Sequence, residues 1–201
     1  WGEGLFDVPH GAAIGVDDSI FLIDAGDHTV RKFNLDGKLL MTLGEAHKPA
    51  LKMSGDPFSV PTHLAIDKRT GELYVADGYS NARVHKYTPD GKYLFSWGES
   101  GTGEGQFNIV HNISTDNDGW VYIADRENHR IQVFDPHGKF LRKWGCEGSG
   151  NGQFIRPQGL ATDNQCNVYV ADRDNNRIQV FDPYGRFLHE WGIRGSRDGE
   201  F

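Results

Sequence analysis

Three observations predict an all-β chain built as a β-propeller of four-stranded blades. One stretch recurs four times, as residues 6–44, 58–98, 107–145 and 154–192. A single aspartate marks the period: Asp24, Asp77, Asp125 and Asp172, in steps of 53, 48 and 47 residues. Such a period is the mark of a repeat array. Each copy breaks into four short apolar runs rich in β-branched and aromatic residues. No segment carries an apolar stripe at helical spacing for three turns. Four antiparallel strands per unit, repeated, make the blades of a propeller. A parallel β-solenoid has shorter repeats without hairpin turns and fits less well.

The third repeat shows the elements in order. Its predicted strands are His111–Thr115, Trp120–Ala124, Ile131–Asp135 and Phe140–Trp144. The last pair in each repeat is joined through a glycine, at Leu35-Asp36-Gly37, Pro89-Asp90-Gly91, Pro136-His137-Gly138 and Pro183-Tyr184-Gly185. Glycine there tolerates the positive φ of a tight hairpin. The shared positions are the marker aspartate, the hairpin glycine, the aromatic opening strand four, and Trp-Gly at its end. In a repeat protein such positions hold the fold, so chemistry is sought in the exceptions.

The chain has 201 residues and a formal net charge of −7. That length suits one propeller domain or segment covering residues 1–201. The acidic balance argues against a nucleic-acid surface, which needs a basic face. Arg126, Arg130, Arg173 and Arg177 nevertheless recur in blades three and four, as a local basic patch would. No apolar run is long enough for a membrane span. Cys146 and Cys166 lie in different loops, and a disulfide between them is open but not implied. The start, Trp1-Gly2-Glu3, looks like the close of a blade, and the end, Gly199-Glu200-Phe201, like the opening of one. The expectation is a segment of a longer propeller, with open sheet edges available for self-association.

The first exception is a position at the start of strand one, occupied by His10, Thr62, His111 and Gln158. First strands line the channel of a propeller, and equivalent positions point at one axis. His10 and His111 stand two blades apart and can converge. Zinc takes imidazole ligands, and a catalytic site holds three protein ligands and an open position. The alternative is two channel histidines bonded to water or backbone. Strict alternation turns the adjacent His63 away from the axis. His28, His47, His85, His129, His137 and His189 are expected in solvated loops or strand ends.

The second exception is Asp77-Gly78-Tyr79-Ser80-Asn81-Ala82-Arg83. Three blades span nine residues from marker aspartate to the strand-three aromatic, whereas Asp77–Tyr87 spans ten. The extra residue makes a bulged loop that presents Tyr79. A tyrosine held beside a cation can serve as a base. The alternative is a packed or exposed loop aromatic. The third candidate is Arg126, after Asp125, suited to a bidentate grip on a carboxylate. Arg173 fills the same place in blade four, so the Asp-Arg pair also reads as repeat consensus.

These stretches resemble a known family. The repeats look like NHL repeats. PHG (9–11), DAGDHTVRKF (24–33), VADGYSNARV (75–84), VHNIS (110–114) and ADRENHRIQVF (124–134) are together similar to the catalytic core of peptidyl-α-hydroxyglycine α-amidating lyase. The resemblance implies a six-bladed ring with zinc on three histidines from alternate blades. It implies cleavage of a C-terminally hydroxylated peptidyl-glycine to a peptide amide and glyoxylate. His10 and His111 would be zinc ligands, Tyr79 the base and Arg126 an active-site arginine. The carbonyl of Ala12 would serve a structural calcium. The partner implied is a peptide or small-molecule substrate, and a secreted or periplasmic setting is favoured. Two departures bear on the site: the blade with the third histidine and the blade with the family's other arginine have no counterpart in the sequence. A third is Ser80, where animal members have a cysteine.

Two other readings stand beside this one. A non-enzymatic NHL scaffold would bind protein or another ligand on one propeller face. A calcium-dependent lactonase-type propeller would cluster Glu, Asn and Asp at the channel, for which Asn112 and Asp116 are the candidates.

Overall fold

A computed structural model of the chain describes residues 1–201. It contains four four-stranded antiparallel sheets. The first is β1 (Pro9–Ile14), β2 (Ile20–Asp24), β3 (Thr29–Phe33) and β4 (Leu39–Leu43). The second is β5 (His63–Ile66), β6 (Leu73–Asp77), β7 (Arg83–Tyr87) and β8 (Tyr93–Trp97). Two short strands, β9 (Glu99–Ser100) and β10 (Gln106–Phe107), pair in the loop that follows. The third sheet is β11 (Val110–Thr115), β12 (Val121–Asp125), β13 (Arg130–Phe134) and β14 (Phe140–Trp144). The fourth is β15 (Pro157–Thr162), β16 (Val168–Asp172), β17 (Arg177–Phe181) and β18 (Phe187–Trp191). Each sheet is a meander in chain order. The only helical pieces are single 3-10 turns, Arg126–Asn128 and Arg173–Asn175.

The four sheets are propeller blades. Their first strands lie side by side, β1 next to β5, β5 next to β11, and β11 next to β15. The apolar side chains fill the gaps between blades. Phe21, Phe58, Leu64 and Val75 form the seam between the first and second blades. Tyr74, Phe107, Ile123 and Phe134 form the next, and Tyr122, Phe154, Val170 and Phe181 the last. A middle strand such as β12 touches a seam on either face. All five of its residues are therefore buried, and its sequence is a continuous apolar run rather than an alternation.

The hairpin glycine and the closing tryptophan turn out to be one device. Gly138 has φ +77°, and a Cβ there would meet the Trp97 ring of the preceding blade at 2.9 Å. Gly185 repeats this with Trp144, at 2.7 Å. The glycine gives the turn its left-handed residue and leaves room for the neighbouring indole.

The marker aspartates are fully buried clasps. Asp125 accepts hydrogen bonds from the Asn108 amide (2.7 Å), Asn128, Arg130 Nε (2.7 Å) and Gln132 Nε2 (3.1 Å). Asp172 does the same with Ile155, Asn175, Arg177 and Gln179. Asp24 instead accepts four backbone N–H groups, from Asp7, Val8, Gly26 and Asp27. Those bonds outweigh the burial that raises its pKa and hold the carboxyl below its usual range.

Two expectations are corrected here. Arg130 and Arg177 are only 7% and 8% exposed and face these aspartates, so they form no surface basic patch. His85 is buried in β7 with its Nε2 3.3 Å from Asp77, rather than solvated.

Candidate functional site

The first strands carry the site, and a backbone irregularity aims it. In β1 the pairing runs Pro9 with Asp24 and then Gly11 with Ile23, so His10 is an extra residue. The register breaks identically at His111 in β11 and at Gln158 in β15. These are β-bulges, which re-aim a side chain next to an interrupted ladder. Here they turn three equivalent side chains into the channel.

The imidazoles are fixed from behind. His10 Nδ1 lies 2.7 Å from the Thr62 carbonyl of the next blade, and His111 Nδ1 lies 2.9 Å from the Gln158 carbonyl. A carbonyl only accepts, so each Nδ1 carries the proton and each Nε2 presents a lone pair. Both Nε2 atoms lie 3.1 Å from Tyr79 Oη. The rings of His10 and His111 stand 5.3 Å apart, centre to centre. The Gln158 side-chain amide also reaches His111 Nε2, at 3.2 Å.

Tyr79 arrives from blade two on the lengthened loop between β6 and β7. Gly78, at its root, sits against β11: a Cβ there would lie 1.9 Å from the Val110 carbonyl oxygen. Blade three has Arg126 at the corresponding place. Its guanidinium carbon lies 5.6 Å from the Tyr79 ring centre, and its Nε donates to Glu127 at 2.9 Å. This is cation–π distance. Arg173 has no ring beneath it, is about half exposed and pairs with Asp174 at 3.5 Å. The two Asp-Arg pairs share a sequence slot but not a setting.

Burial depresses His111 to a pKa of about 4, with the nearby Arg126 charge acting in the same direction. The imidazole is therefore neutral at pH 7, as a metal ligand or proton acceptor must be. Nitrogen donors pinned at Nδ1 and convergent at Nε2 fit a zinc site in which this chain provides two imidazoles. No group of three or more His, Cys, Asp or Glu side chains in the molecule is arranged so as to hold a metal ion by itself.

His63 corrects a further expectation. It lines the same cavity of about 470 Å³ as His10, His111 and Gln158. His63 opens β5 opposite Ala76, and it faces the channel in the same row as Asn112 and Gly159 of the next two blades. Burial and then the His10 charge push His63 down to a pKa of about 4, and its Nδ1 is buried without a partner. His10 on β1 and His111 on β11 are the titratable groups that face it. An unfolded histidine titrates near 6.5. A lowered folded value stabilises the fold above that pH, and the gain is lost as pH falls from about 6.5 towards 4. The denaturation midpoint in urea is expected to drop between pH 7 and pH 5. The loss from His63 is on the order of 1 to 2 kcal/mol. A His63→Gln variant should show a shallower drop; an identical pH profile in that variant would count against the assignment.

The remaining candidates lie apart from the cluster. Ala12 sits within β1, opposite Leu22, and is exposed. The calcium expectation for its carbonyl rests on the resemblance alone. Asp116 is engaged in the β11–β12 turn, where it accepts from the Asp118 and Trp120 amides and Tyr122 Oη. It does not join Asn112 at the channel, which removes an acidic group from the lactonase-type reading. Cys146 and Cys166 are unpaired. Gln158 and His63 are the side chains lining the channel cavity that sequence reasoning passed over. Gln158 stood in the same row as the two histidines, which was the available signal.

Fold and cluster together define a β-propeller with histidines and a tyrosine meeting in its channel. The comparisons agree with that class and narrow it. A family model described as a 6-bladed beta-propeller matches residues 106–191. The chain is 40% identical over 103 residues to peptidyl-alpha-hydroxyglycine alpha-amidating lyase 1 of Drosophila melanogaster, covering 50% of this chain and 18% of that protein. It is 38% identical over 131 residues to NHL repeat-containing protein 3 of Mus musculus, covering 61% and 38%. The chain spans 14% to 18% of the length of the amidating relatives from Xenopus laevis, Mus musculus, Rattus norvegicus and Drosophila melanogaster, and 37% of the one from Caenorhabditis elegans. Among solved structures, virginiamycin B lyase from Staphylococcus aureus superposes with a TM-score of 0.66 at 15% identity, covering 90% of this chain and 54% of that one. That last likeness is one of fold. The repeats are thus similar in sequence to NHL-repeat and amidating-lyase propellers. No helix of the molecule is long and apolar enough to cross a membrane.

Proposed function

We propose that this chain forms part of the active site of a carbon–nitrogen lyase that cleaves a C-terminal α-hydroxyglycine into a peptide amide and glyoxylate. The observation that carries the reading is the placement of Tyr79 Oη at 3.1 Å from Nε2 of both His10 and His111. Arg126 stacks on the same tyrosine. The sequence likeness to an amidating lyase supports the choice of reaction.

Zinc bound by His10 and His111 would supply Lewis-acid polarisation of the substrate hydroxyl. Tyr79 would be the base that takes the proton of that hydroxyl. As the proton leaves, the oxygen electron pair forms the aldehyde C=O and the C–N bond breaks. The amide nitrogen keeps the bonding pair and takes up a proton, which Tyr79 can return. Arg126 would hold the glyoxylate carboxylate as a charge-assisted pair. The carbonyls of Thr62 and Gln158 hold both imidazoles in one tautomer throughout.

The test is glyoxylate release from a peptide ending in α-hydroxyglycine, with zinc content measured on the same preparation. His111→Ala is expected to lose both zinc and activity. Unchanged zinc stoichiometry in that variant would overturn the metal assignment. The second reading is a non-enzymatic NHL scaffold, favoured by the likeness to NHL repeat-containing protein 3. It predicts that His10→Ala and His111→Ala leave ligand binding on a propeller face intact.

A further inference from the structure

We propose that residues 45–57, the connection from β4 to β5, are a positioning element for Tyr79. The inference deepens the reading of Tyr79 as the base and rests on it for its effect on rate.

This connection is an exception in the repeat. Each joint between blades runs from a glycine that ends one blade to a phenylalanine that packs on it. The interval is nine residues from Gly98 to Phe107, from Gly145 to Phe154 and from Gly192 to Phe201, but fourteen from Gly44 to Phe58. The short joints pair with themselves, through Glu99–Ser100 with Gln106–Phe107, Glu147 with Phe154, and Ile193 with Glu200. Residues 45–57 form no such bridge. They turn instead to the Tyr79 loop, the other lengthened stretch of the chain. The Met53 N–H donates to the Ser80 carbonyl at 2.9 Å, and the Gly55 N–H to Asn81 Oδ1 at 3.0 Å. Neither bond has a counterpart at the joints into blades three and four. Asn81 Nδ2 also donates to the Asp56 carbonyl at 2.8 Å, a bond that Asn128 and Asn175 repeat with Gly101 and Gly148.

The Tyr79 loop lacks the ties of its equivalents. In blade three the Arg126 and Glu127 N–H groups donate to the carbonyls of Ile109 and Asn108, both at 3.0 Å. In blade four Asp174 donates to Ile155 at 3.2 Å. The N–H groups of Gly78, Tyr79 and Ser80 donate to no carbonyl. At its root the loop rests on β11 through Gly78. Beyond Tyr79 it is held by residues 45–57. The bonds from Tyr79 Oη to His10 and His111 do not replace that hold, because a base must be free to receive the substrate proton. A misplacement of about 1 Å can cost on the order of 10²-fold in rate.

Exchange of residues 45–57 for the sequence of residues 99–106 tests this, since the fold already uses that shorter joint. Glyoxylate release, zinc content and circular dichroism are measured. The position of Tyr79 is read by fluorine NMR of chain labelled with 3-fluorotyrosine, its line identified by its loss in Tyr79→Phe. The exchange is expected to lower kcat roughly ten- to a hundredfold, with KM and zinc at parental levels, and to move the Tyr79 line towards that of free fluorotyrosine. In a Tyr79→Phe background it should lower kcat by less than about threefold, because both changes act through one hydroxyl. Gly55→Val is the milder variant should the exchange fail to fold. Gly55 has φ +85°, and a Cβ there would lie 3.0 Å from Arg83 Nη2, so the substitution should displace the loop and move both readouts in the same direction. A parental kcat with an unmoved line, or an equal loss of rate with and without the Tyr79 hydroxyl, would overturn the inference and leave the proposed reaction standing. If the unmodified chain releases no glyoxylate, the reaction fails, and the fluorine line alone decides whether residues 45–57 hold Tyr79.

Discussion

Replacing Tyr79 by phenylalanine is expected to reduce glyoxylate release by roughly 10²- to 10⁴-fold, the range for loss of a positioned acid–base group. The substitution removes one oxygen and keeps the ring. The cation–π contact with Arg126 survives, because it uses the ring face. The histidines keep their carbonyl partners at Thr62 and Gln158. Zinc content should therefore stay at the parental level and KM should change little, while kcat falls. A Tyr79→Phe protein with parental kcat would eliminate Tyr79 as the proton acceptor. A protein that lost its zinc would show instead that the hydroxyl helps to hold the metal. Tyr79 Oη is the only oxygen the structure places between the two Nε2 atoms, so no neighbouring group is set to substitute for it.

Much of this was legible because the repeat separates framework from exception. Four copies of one pattern located the strands, and the marker aspartates were read as structural before their clasps were seen. The extra residue in blade two could be counted. It falls between Asp77 and Asn81, because Ala82 takes the left-handed conformation that His28, His129 and Asn176 take in the other blades. The convergence of His10 and His111 followed from blade order and strand position, whereas the role of Tyr79 beside them came from the family resemblance.

What escaped was set by backbone detail and partner choice. Strict alternation turns His63 away from the axis, yet it lines the channel cavity together with His10 and His111, a placement that carries no mark in composition. His85 appeared to be a solvated histidine, yet it fills the slot of Gln132 and Gln179, two residues after an arginine. Each of the three side chains reaches the marker aspartate of its own blade. Arg130 and Arg177 suggested a basic surface because charged residues are usually exposed. The spacing Asn-x-Arg-x-Gln, read against the aspartate before it, would have shown them as its donors.

That clasp yields the largest stability effect in the fold. Asp125→Ala leaves the Arg130 guanidinium, 7% exposed, without its carboxylate. It also strands the Asn108 amide and removes one partner from the Asn128 and Gln132 side-chain amides, which keep the carbonyls of Gly101 and Gln106. Removing one partner of a buried ion pair costs about 3–5 kcal/mol. For a domain of this size that is a fall in Tm on the order of 10 °C. Arg130 also donates to the carbonyls of Thr102, Gly103 and Gln106. Its charge is thus bound from two sides, and the loop from β8 to β11 should loosen together with β12. A second change, Arg130→Met, removes the stranded charge and should recover part of the loss, so the double variant is expected to be more stable than Asp125→Ala alone. Equal stability of the single variant and the parent would mean that the clasp is redundant with the inter-blade core. Equal stability of the single and double variants would mean that the penalty lies in the unpaired amides rather than in the buried charge.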